Sequence, residues 1–136
     1  MKTRIVVAAI IEKDGKILLG QKPTGKGPYP DSWHLPGGGV NLEDETLEDA
    51  MRREIKEETG LDVLKLERDG FDEDYENDKH GELTHYVFLR FNVEPASTDA
   101  KANDDLVELK WFPKSKLKDL KLARPLVKHL KEIGTI

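Results

Sequence analysis

One helix is marked at both of its ends in the sequence, and it constrains the fold more than any other feature. Thr46, followed three residues later by Asp49, resembles a capping box at a helix N-terminus. Gly60 is the residue type that ends helices in a left-handed conformation. Between these ends, apolar residues recur at the spacing of one helix face: Leu47, Ala50, Met51 and Ile55. The pattern predicts a helix that packs this face against a core built elsewhere in the chain.

Segments with strand character lie on both sides of this helix. A β-rich stretch at residues 3–12, the turn KDGK and a second stretch at 17–22 predict a hairpin. Residues 23–31 are rich in Pro and Gly and predict a loop, and residues 37–39 predict a second, tighter loop. Four strand-like stretches follow the helix: 62–67, part of 69–75, 83–93 and 106–112.

The rest of the chain completes an α/β pattern. The segment ARPLVKHLKEIG predicts a closing helix with Pro125 in its first turn. The polar, acidic stretch at residues 71–82 is interpreted as a mobile hairpin loop, with a lid over a substrate as the alternative. Strands on both sides of a central helix favour a mixed sheet between helices, and a length of 136 residues predicts one domain over residues 1–136.

Composition argues against several classes of function. A net charge of −5 disfavours a protein that binds nucleic-acid polymers, and the lack of Cys excludes disulfides, thiolate zinc sites and cysteine nucleophiles. The apolar run at 5–11 ends in an acidic turn, which favours a buried strand over a signal peptide. No apolar stretch approaches the roughly 18 residues that a membrane span needs. We therefore expect a cytoplasmic protein, monomeric or homodimeric, with no membrane partner.

The helix also has an acidic face, formed by Glu54, Glu57 and Glu58. Residues three and four apart share a face, so these like charges repel each other unless a positive charge compensates them. Arg53 lies four residues before Glu57 and can pair with it. Carboxylate oxygens are the ligands that Mg²⁺ and Mn²⁺ prefer. The face is therefore either a divalent-metal site for phosphate chemistry or simply a solvated helix surface.

Residues upstream of the helix decide between these interpretations. Gly39 is followed at fixed distances by Glu45, Arg53 and the three glutamates, and the span ends at Gly60 and Leu61. This span resembles the Nudix box with every defining position filled, and the flanking stretches WHLPGGGV and ELKWFPKSKL are similar to those of Nudix proteins. The resemblance implies the Nudix fold, an α/β/α sandwich with a mixed β-sheet and a loop-helix-loop catalytic motif.

The resemblance also implies roles for the residues of the box. Glu57 and Glu58 are expected as the main metal ligands, and Glu54 as a further ligand or as the base that activates water. Which glutamate is the base stays open, because it differs across the family. Arg53 is expected to orient the glutamates by ion pairing, with Glu45 in support.

Further site residues are expected outside the acidic helix face. Gly38 is expected to offer its carbonyl to the metal, Gly39 to serve the turn, and Gly60 to end the helix. A last acidic ligand is sought among Asp104, Asp105 and Glu108, and Asp105 is favoured, with surface charge as the alternative. Lys22 is a candidate phosphate contact, with a solvated lysine as the alternative. The implied cofactor is Mg²⁺, with Mn²⁺ as a second possibility.

The substrate is approached by elimination. The family hydrolyses a nucleoside diphosphate linked to another group, and the ADP-ribose type carries a proline where this chain has Glu76 and Asn77. Tyr75 falls too early for the dinucleoside polyphosphate type. A MutT-like (d)NTP pyrophosphohydrolase giving NMP and pyrophosphate remains. The alternatives are an ADP-ribose or nucleotide-sugar pyrophosphatase and a non-catalytic nucleotide-binding module. Candidates for base contacts are Trp33, Phe71, Tyr75, His85 and Tyr86.

Overall fold

Strands alternate with two α-helices along the chain, as the sequence predicts. The computed structural model describes residues 1–136. Its elements are β1 (Lys2–Lys13), β2 (Lys16–Gln21), β3 (Gly37–Gly39), α1 (Leu47–Thr59), β4 (Val63–Asn77), β5 (Leu83–Pro95), β6 (Glu108–Pro113), a 3₁₀ helix (Lys114–Asp119) and α2 (Arg124–Glu132). The six strands form one sheet in the order β4-β5-β1-β2-β6, and β3 pairs with β1. The β1–β5 pair is parallel and the other pairs are antiparallel, so the sheet is mixed.

Helix α1 has the bounds and the caps that the sequence predicts. The side-chain oxygen of Thr46 accepts a hydrogen bond from the backbone N–H of Asp49 at 3.1 Å, and Gly60 ends the helix at a φ of 73°. Ala50, Met51 and Ile55 are fully buried, so this apolar face is the one that packs on the sheet.

Two cores lie on opposite faces of the sheet. In one, α1 packs against Val7, Ala9 and Ile11 of β1. In the other, α2 and the 3₁₀ helix pack against Ile17 and Leu19 of β2. Alternate residues of a strand point to opposite faces, and the chain therefore forms an α/β/α sandwich. Helix α2 carries Pro125 in its first turn, as predicted. Neither α-helix has the length and apolar character needed to cross a bilayer.

The loop predicted at residues 37–39 is instead strand β3. Its glycines pair antiparallel with β1, and Val6 lies opposite Gly39. A Cβ atom at Gly37 would lie 2.0 Å from the carbonyl oxygen of Val7, so only glycine permits this approach. A run of glycines is typical of a turn, and the pairing depends on a partner strand that the local sequence does not reveal.

The mobile loop interpreted at residues 71–82 is also wrong for most of its length. Residues Val63–Asn77 form one long strand, irregular near Gly70, and only the short turn that follows connects β4 to β5. The acidic residues of this stretch have basic partners. Asp72 pairs with Arg90 of β5, and Asp74 accepts a hydrogen bond from Arg124 at 2.8 Å. The polarity of this stretch is typical of a loop. Cross-strand pairing and these ion pairs nevertheless hold it in a strand.

Candidate functional site

The acidic face of α1 lies against strand β3. Its glutamates are not equivalent: Glu58 is 2% exposed and Glu54 8%, whereas the side chain of Glu57 is 46% exposed. The backbone N–H of Gly37 donates to Oε1 of Glu58 at 2.7 Å. Strand β3 thus holds the last turn of α1 against the sheet through a carboxylate.

Arg53 organises the carboxylates around it. Its Nε and Nη2 atoms donate to the two oxygens of Glu45 at 2.9 and 2.6 Å, and Nη2 also reaches the carbonyl of Gly39 at 3.2 Å. Its Nη1 donates to Glu54 at 2.8 Å and to Glu57 at 3.2 Å. The planar fork of a guanidinium allows this set of contacts. These contacts support the expected role of Arg53 and Glu45 in orienting the glutamates, which stays a prediction.

The ion pair has opposite effects on the two pKa values. The hydrogen bond from Arg53 lowers the pKa of Glu45 to about 2. The hydrogen bond from Glu45 raises the pKa of Arg53. Both groups are therefore charged throughout the neutral range.

Gly38 lies directly against the carboxylate of Glu54. A Cβ atom at position 38 would lie 2.6 Å from the carboxylate carbon and one oxygen of Glu54 and 2.7 Å from the other. The backbone therefore needs glycine here to come this close to the acidic face. The proposed role of the Gly38 carbonyl as a metal ligand stays a prediction.

A loop between β5 and β6 brings further carboxylates to the site. Oxygens of Glu58, Asp104 and Asp105 all lie within 4.8 Å of one another. Hydrogen bonds attach this loop to the end of α1: the N–H of Asn103 donates to the carbonyl of Glu58, and that of Lys101 to the carbonyl of Thr59, both at 3.1 Å. Asp105, the favoured candidate, lies in this cluster together with Asp104. Glu108 lies in β6.

Because Glu54 and Glu58 are buried, their carboxyl groups need a nearby positive charge to be stable in the ionised form. Burial raises the pKa of Glu58 to about 9, against the lowering effect of the Gly37 N–H and with a smaller contribution from Asp105. Burial also raises the pKa of Glu54, although Arg53 acts in the opposite direction. A group of carboxylate oxygens of this kind fits a hard divalent ion such as Mg²⁺ or Mn²⁺. Glu54, Glu58, Asp104 and Asp105 could hold such an ion, and the part of Glu57 as a ligand stays a prediction.

These carboxylates lie at one end of a cavity of about 930 Å³. Its floor is the sheet face opposite α1, where Arg4 and Val6 of β1 lie beside Tyr86 and Phe88 of β5. The loop between β2 and β3 contributes Tyr29, and the first turn of α2 closes another side. A cavity of this size is large enough for a nucleotide.

Only one of the candidates for base contacts lines this cavity, and that is Tyr86. Phe71 and Tyr75 are exposed, Tyr75 stacks on His85, and Trp33 packs on Phe112 beside the second core. Tyr29 and Phe88 also line the cavity and are not among the candidates predicted from the sequence. The alternation of Tyr86 and Phe88 along one strand is a signal that could have identified Phe88.

Lys22 lies at the carboxylate end of the cavity, with its Nζ atom 4.0 Å from Asp105. Its role as a phosphate contact stays a prediction. Nearby His34 donates from Nδ1 to the carbonyl of Leu35 at 3.0 Å, and its buried Nε2 has no partner. Burial lowers the pKa of His34 to about 4, so the ring is neutral at pH 7.

The fold is an α/β/α sandwich, and one helix places buried carboxylates beside a nucleotide-sized cavity. This is the class of protein that the resemblance to the Nudix box predicts. The family model described as the NUDIX domain matches residues 1–133. The nucleoside triphosphatase NudI of Enterobacter sp. (strain 638) is 30% identical over 128 residues, which is 90% of each chain. NudI of Escherichia coli O81 (strain ED1a) is 33% identical over 117 residues, which is 82% of each chain.

A solved structure agrees with these relatives. The crystal structure of a MutT NUDIX hydrolase from Burkholderia pseudomallei superposes with a TM-score of 0.79 at 25% identity, and covers 98% of this chain and 99% of the other. The chain therefore belongs to the Nudix family, and it is a MutT-like Nudix hydrolase.

Proposed function

We propose that this hydrolase cleaves nucleoside triphosphates, with Mg²⁺ as cofactor, to a nucleoside monophosphate and pyrophosphate. The observation that carries the proposal is the carboxylate cluster of Glu58, Asp104 and Asp105 at one end of a cavity. The cavity is also lined by aromatic rings and by basic side chains without an acidic partner. The relatives that are 30% and 33% identical are named nucleoside triphosphatases, which supports triphosphates as the substrate class.

Each carboxylate has a part in this reaction. Glu58, Asp104 and Asp105 hold the cation, together with Glu54 or Glu57 and the carbonyl of Gly38. A bound divalent cation supplies positive charge for the phosphate oxygens and lowers the pKa of a water molecule. Lys22 contacts a phosphate group at the same end of the cavity.

Glu54 is the favoured base in this proposal. Arg53 donates to its Oε1, whereas its Oε2 has no hydrogen-bond donor, and Glu54 lines the cavity. Glu57 is half exposed and does not line the cavity. A water proton passes to Oε2 of Glu54, and the water oxygen bonds to one of the two phosphorus atoms of the α–β anhydride. The bond from that phosphorus to the bridging oxygen breaks, and the other fragment leaves with the bridging oxygen and its electron pair, which gives the monophosphate and pyrophosphate. Arg53 fixes the carboxylate plane during this transfer.

A substrate panel tests the proposal. The protein is incubated with the common ribo- and deoxyribonucleoside triphosphates in Mg²⁺, and the products are separated by chromatography. We expect nucleoside monophosphate and pyrophosphate in equal amounts, and no turnover in EDTA. Release of nucleoside diphosphate and phosphate would show that a different bond is cut.

The panel also includes ADP-ribose and nucleotide sugars, because the same chemistry can act on them. Cleavage of these compounds gives two phosphate monoesters, from which added phosphatase releases phosphate. Turnover of this group without turnover of any triphosphate would refute the substrate assignment but not the chemistry. Glu58→Gln serves as the inactive control, and tight binding without turnover in the wild type would favour the non-catalytic alternative.

A further inference from the structure

Arg4 is an exposed residue at the open side of the cavity, and its charge has no partner within the protein. Alternate residues of β1 face the cavity, and they include Lys2, Arg4 and Val6. Lys2 pairs with Asp78. The guanidinium of Arg4 makes neither a hydrogen bond nor an ion pair, although it can donate five hydrogen bonds in a fixed fork.

The position of Arg4 links it to the carboxylate end of the cavity. Its Nη2 atom lies 2.1 Å from where a Cβ atom at Gly39 would be, so the guanidinium rests on the glycine strand. The neighbouring Gly38 lies against the Glu54 carboxylate. On its other side, Arg4 pairs in register with Tyr86 of β5. Arg4 therefore lies between the acidic end of the cavity and its aromatic floor.

Several other basic residues of the cavity are paired with acidic ones, and Arg4 differs from them. Lys2 and Arg90 are neutralised by Asp78 and Asp72, respectively. The side chains of Arg4, Lys26 and Lys79 line the cavity without an acidic partner, although the protein as a whole carries a net charge of −5. In a chain with this excess of acids, an unpaired guanidinium in a cavity marks a place for an anion that the ligand brings.

We propose that Arg4 binds a phosphate group of the substrate on the nucleoside side of the carboxylate cluster. Its fork donates two parallel hydrogen bonds to phosphate oxygens, and the lack of a side chain at Gly39 leaves room for the end of the guanidinium. Arg4 is then a specificity-determining residue that favours a nucleotide over the unphosphorylated nucleoside. This inference deepens the proposed function and rests on it, because it assumes that a nucleotide occupies the cavity.

The test measures binding without turnover. The ¹⁵N-labelled protein is titrated by NMR, in Mg²⁺, with adenosine, guanosine, cytidine and uridine and with the 5′-monophosphate of each. The variants are Arg4→Ala, Arg4→Lys and the matched control Lys13→Ala. Lys13 is exposed on the same strand, outside the cavity and without an ion pair, so its removal changes the net charge equally.

We expect Arg4→Ala to weaken monophosphate binding about tenfold to a hundredfold, as loss of a charge-assisted hydrogen-bond pair does, and to change nucleoside binding less than about twofold. Arg4→Lys should lie in between, because it keeps the charge but loses the fork. Lys13→Ala should change neither affinity. Thermal melting of each variant confirms that the fold is retained.

Three results would overturn the inference: an equal loss for nucleoside and monophosphate, which would assign Arg4 to the base or sugar; no loss for either; or no binding of any monophosphate by the wild type. The outcome is separate from that of the substrate panel. If no triphosphate is hydrolysed but monophosphate binding still depends on Arg4, the proposed function fails and the inference stands. If triphosphates are hydrolysed and Arg4→Ala binds monophosphate normally, the proposed function stands and the inference about Arg4 fails.

Discussion

Oε1 of Glu58 accepts a hydrogen bond of 2.7 Å from the backbone N–H of Gly37. The bond joins the last turn of α1 to strand β3, so the carboxylate that is central to the acidic cluster also fixes the helix to the sheet. A carboxylate oxygen of the same side chain lies within 4.8 Å of oxygens of Asp104 and Asp105.

Replacement of Glu58 should weaken binding of the cation while the protein still folds. We expect Glu58→Gln to lower kcat at least about a hundredfold, because it removes a metal-binding charge, and to retain the fold, because an amide oxygen can still accept from Gly37. Mg²⁺ should raise the melting temperature of the wild type, as any ligand of the folded state does, but not that of the variant. Thermal denaturation with and without Mg²⁺ checks this, and an equal Mg²⁺ shift in both proteins would contradict the assignment.

Arg53→Lys should lower kcat about tenfold to a hundredfold. A lysine ammonium cannot contact both oxygens of Glu45 and reach Glu54 from one position, so the carboxylates lose their fixed orientation. Steady-state kinetics with the best triphosphate measures the loss. Arg52→Lys is the matched control, since Arg52 is exposed and makes a single hydrogen bond, of 3.4 Å, to the carbonyl of Val63. Similar activity of the two variants would argue against an orienting role for Arg53.

Gly38→Ala should abolish most of the activity through Glu54. The added methyl group would lie 2.6 Å from the Glu54 carboxylate and must displace it. We expect a loss of about a hundredfold or more, as misplacement of a catalytic group by 1 Å can cause. The control is the same substitution in a Glu54→Gln background, where kcat should fall little further because both changes act on one group. Losses that simply multiply would place the effect of Gly38 elsewhere.

Acid stability should depend on Glu45. Its pKa is lowered from 4.5 to about 2 in the folded protein by the hydrogen bond from Arg53. A lowered carboxyl pKa contributes stability that is fully present above pH 4.5 and is lost as the pH falls towards 2. Urea unfolding between pH 6 and 2.5 should therefore show a steeper loss of stability for the wild type than for Glu45→Gln. Glu43→Gln, at an exposed glutamate without an ion pair, should behave as the wild type does.

The carboxylates of the β5–β6 loop should matter for binding of the cation. Asp105→Asn and Asp104→Asn should each raise the Mg²⁺ concentration for half-maximal activity about tenfold, because each removes an anionic oxygen from the cluster with Glu58. A Mg²⁺ titration of activity measures this. Asp99→Asn, in the same connection but outside the cavity, is the control. Unchanged Mg²⁺ dependence in both loop variants would restrict the metal site to α1 and β3.

The sequence predicts best those features of the fold that depend on residues close together in the chain. The caps of α1 and the spacing of Glu54, Glu57 and Glu58 lie within one segment, and the helix forms with the predicted ends. The difference in burial between Glu57 and its neighbours depends on where β3 lies, and β3 was predicted as a loop because its pairing partner is far away in sequence.

The cavity illustrates the same limit. Arg4, Tyr29 and Phe88 come together only through the parallel register of β1 with β5 and the path of the β2–β3 loop, and neither is marked by a local pattern. The sequence predicts only part of 69–75 as a strand, because the charges there suggest solvent, whereas Arg90 and Arg124 neutralise them from distant elements.

The cavity floor and the carboxylate helix belong to different parts of the chain. The floor consists of alternate side chains of β1 and β5, and α1 reaches the cavity only at its β3 edge. A substitution at Tyr86 or Phe88 therefore changes the shape of the cavity without affecting any hydrogen bond of Arg53 or Glu58. Evolution and design can thus vary what this scaffold accepts independently of how it cleaves, by exchanging residues along a single strand face.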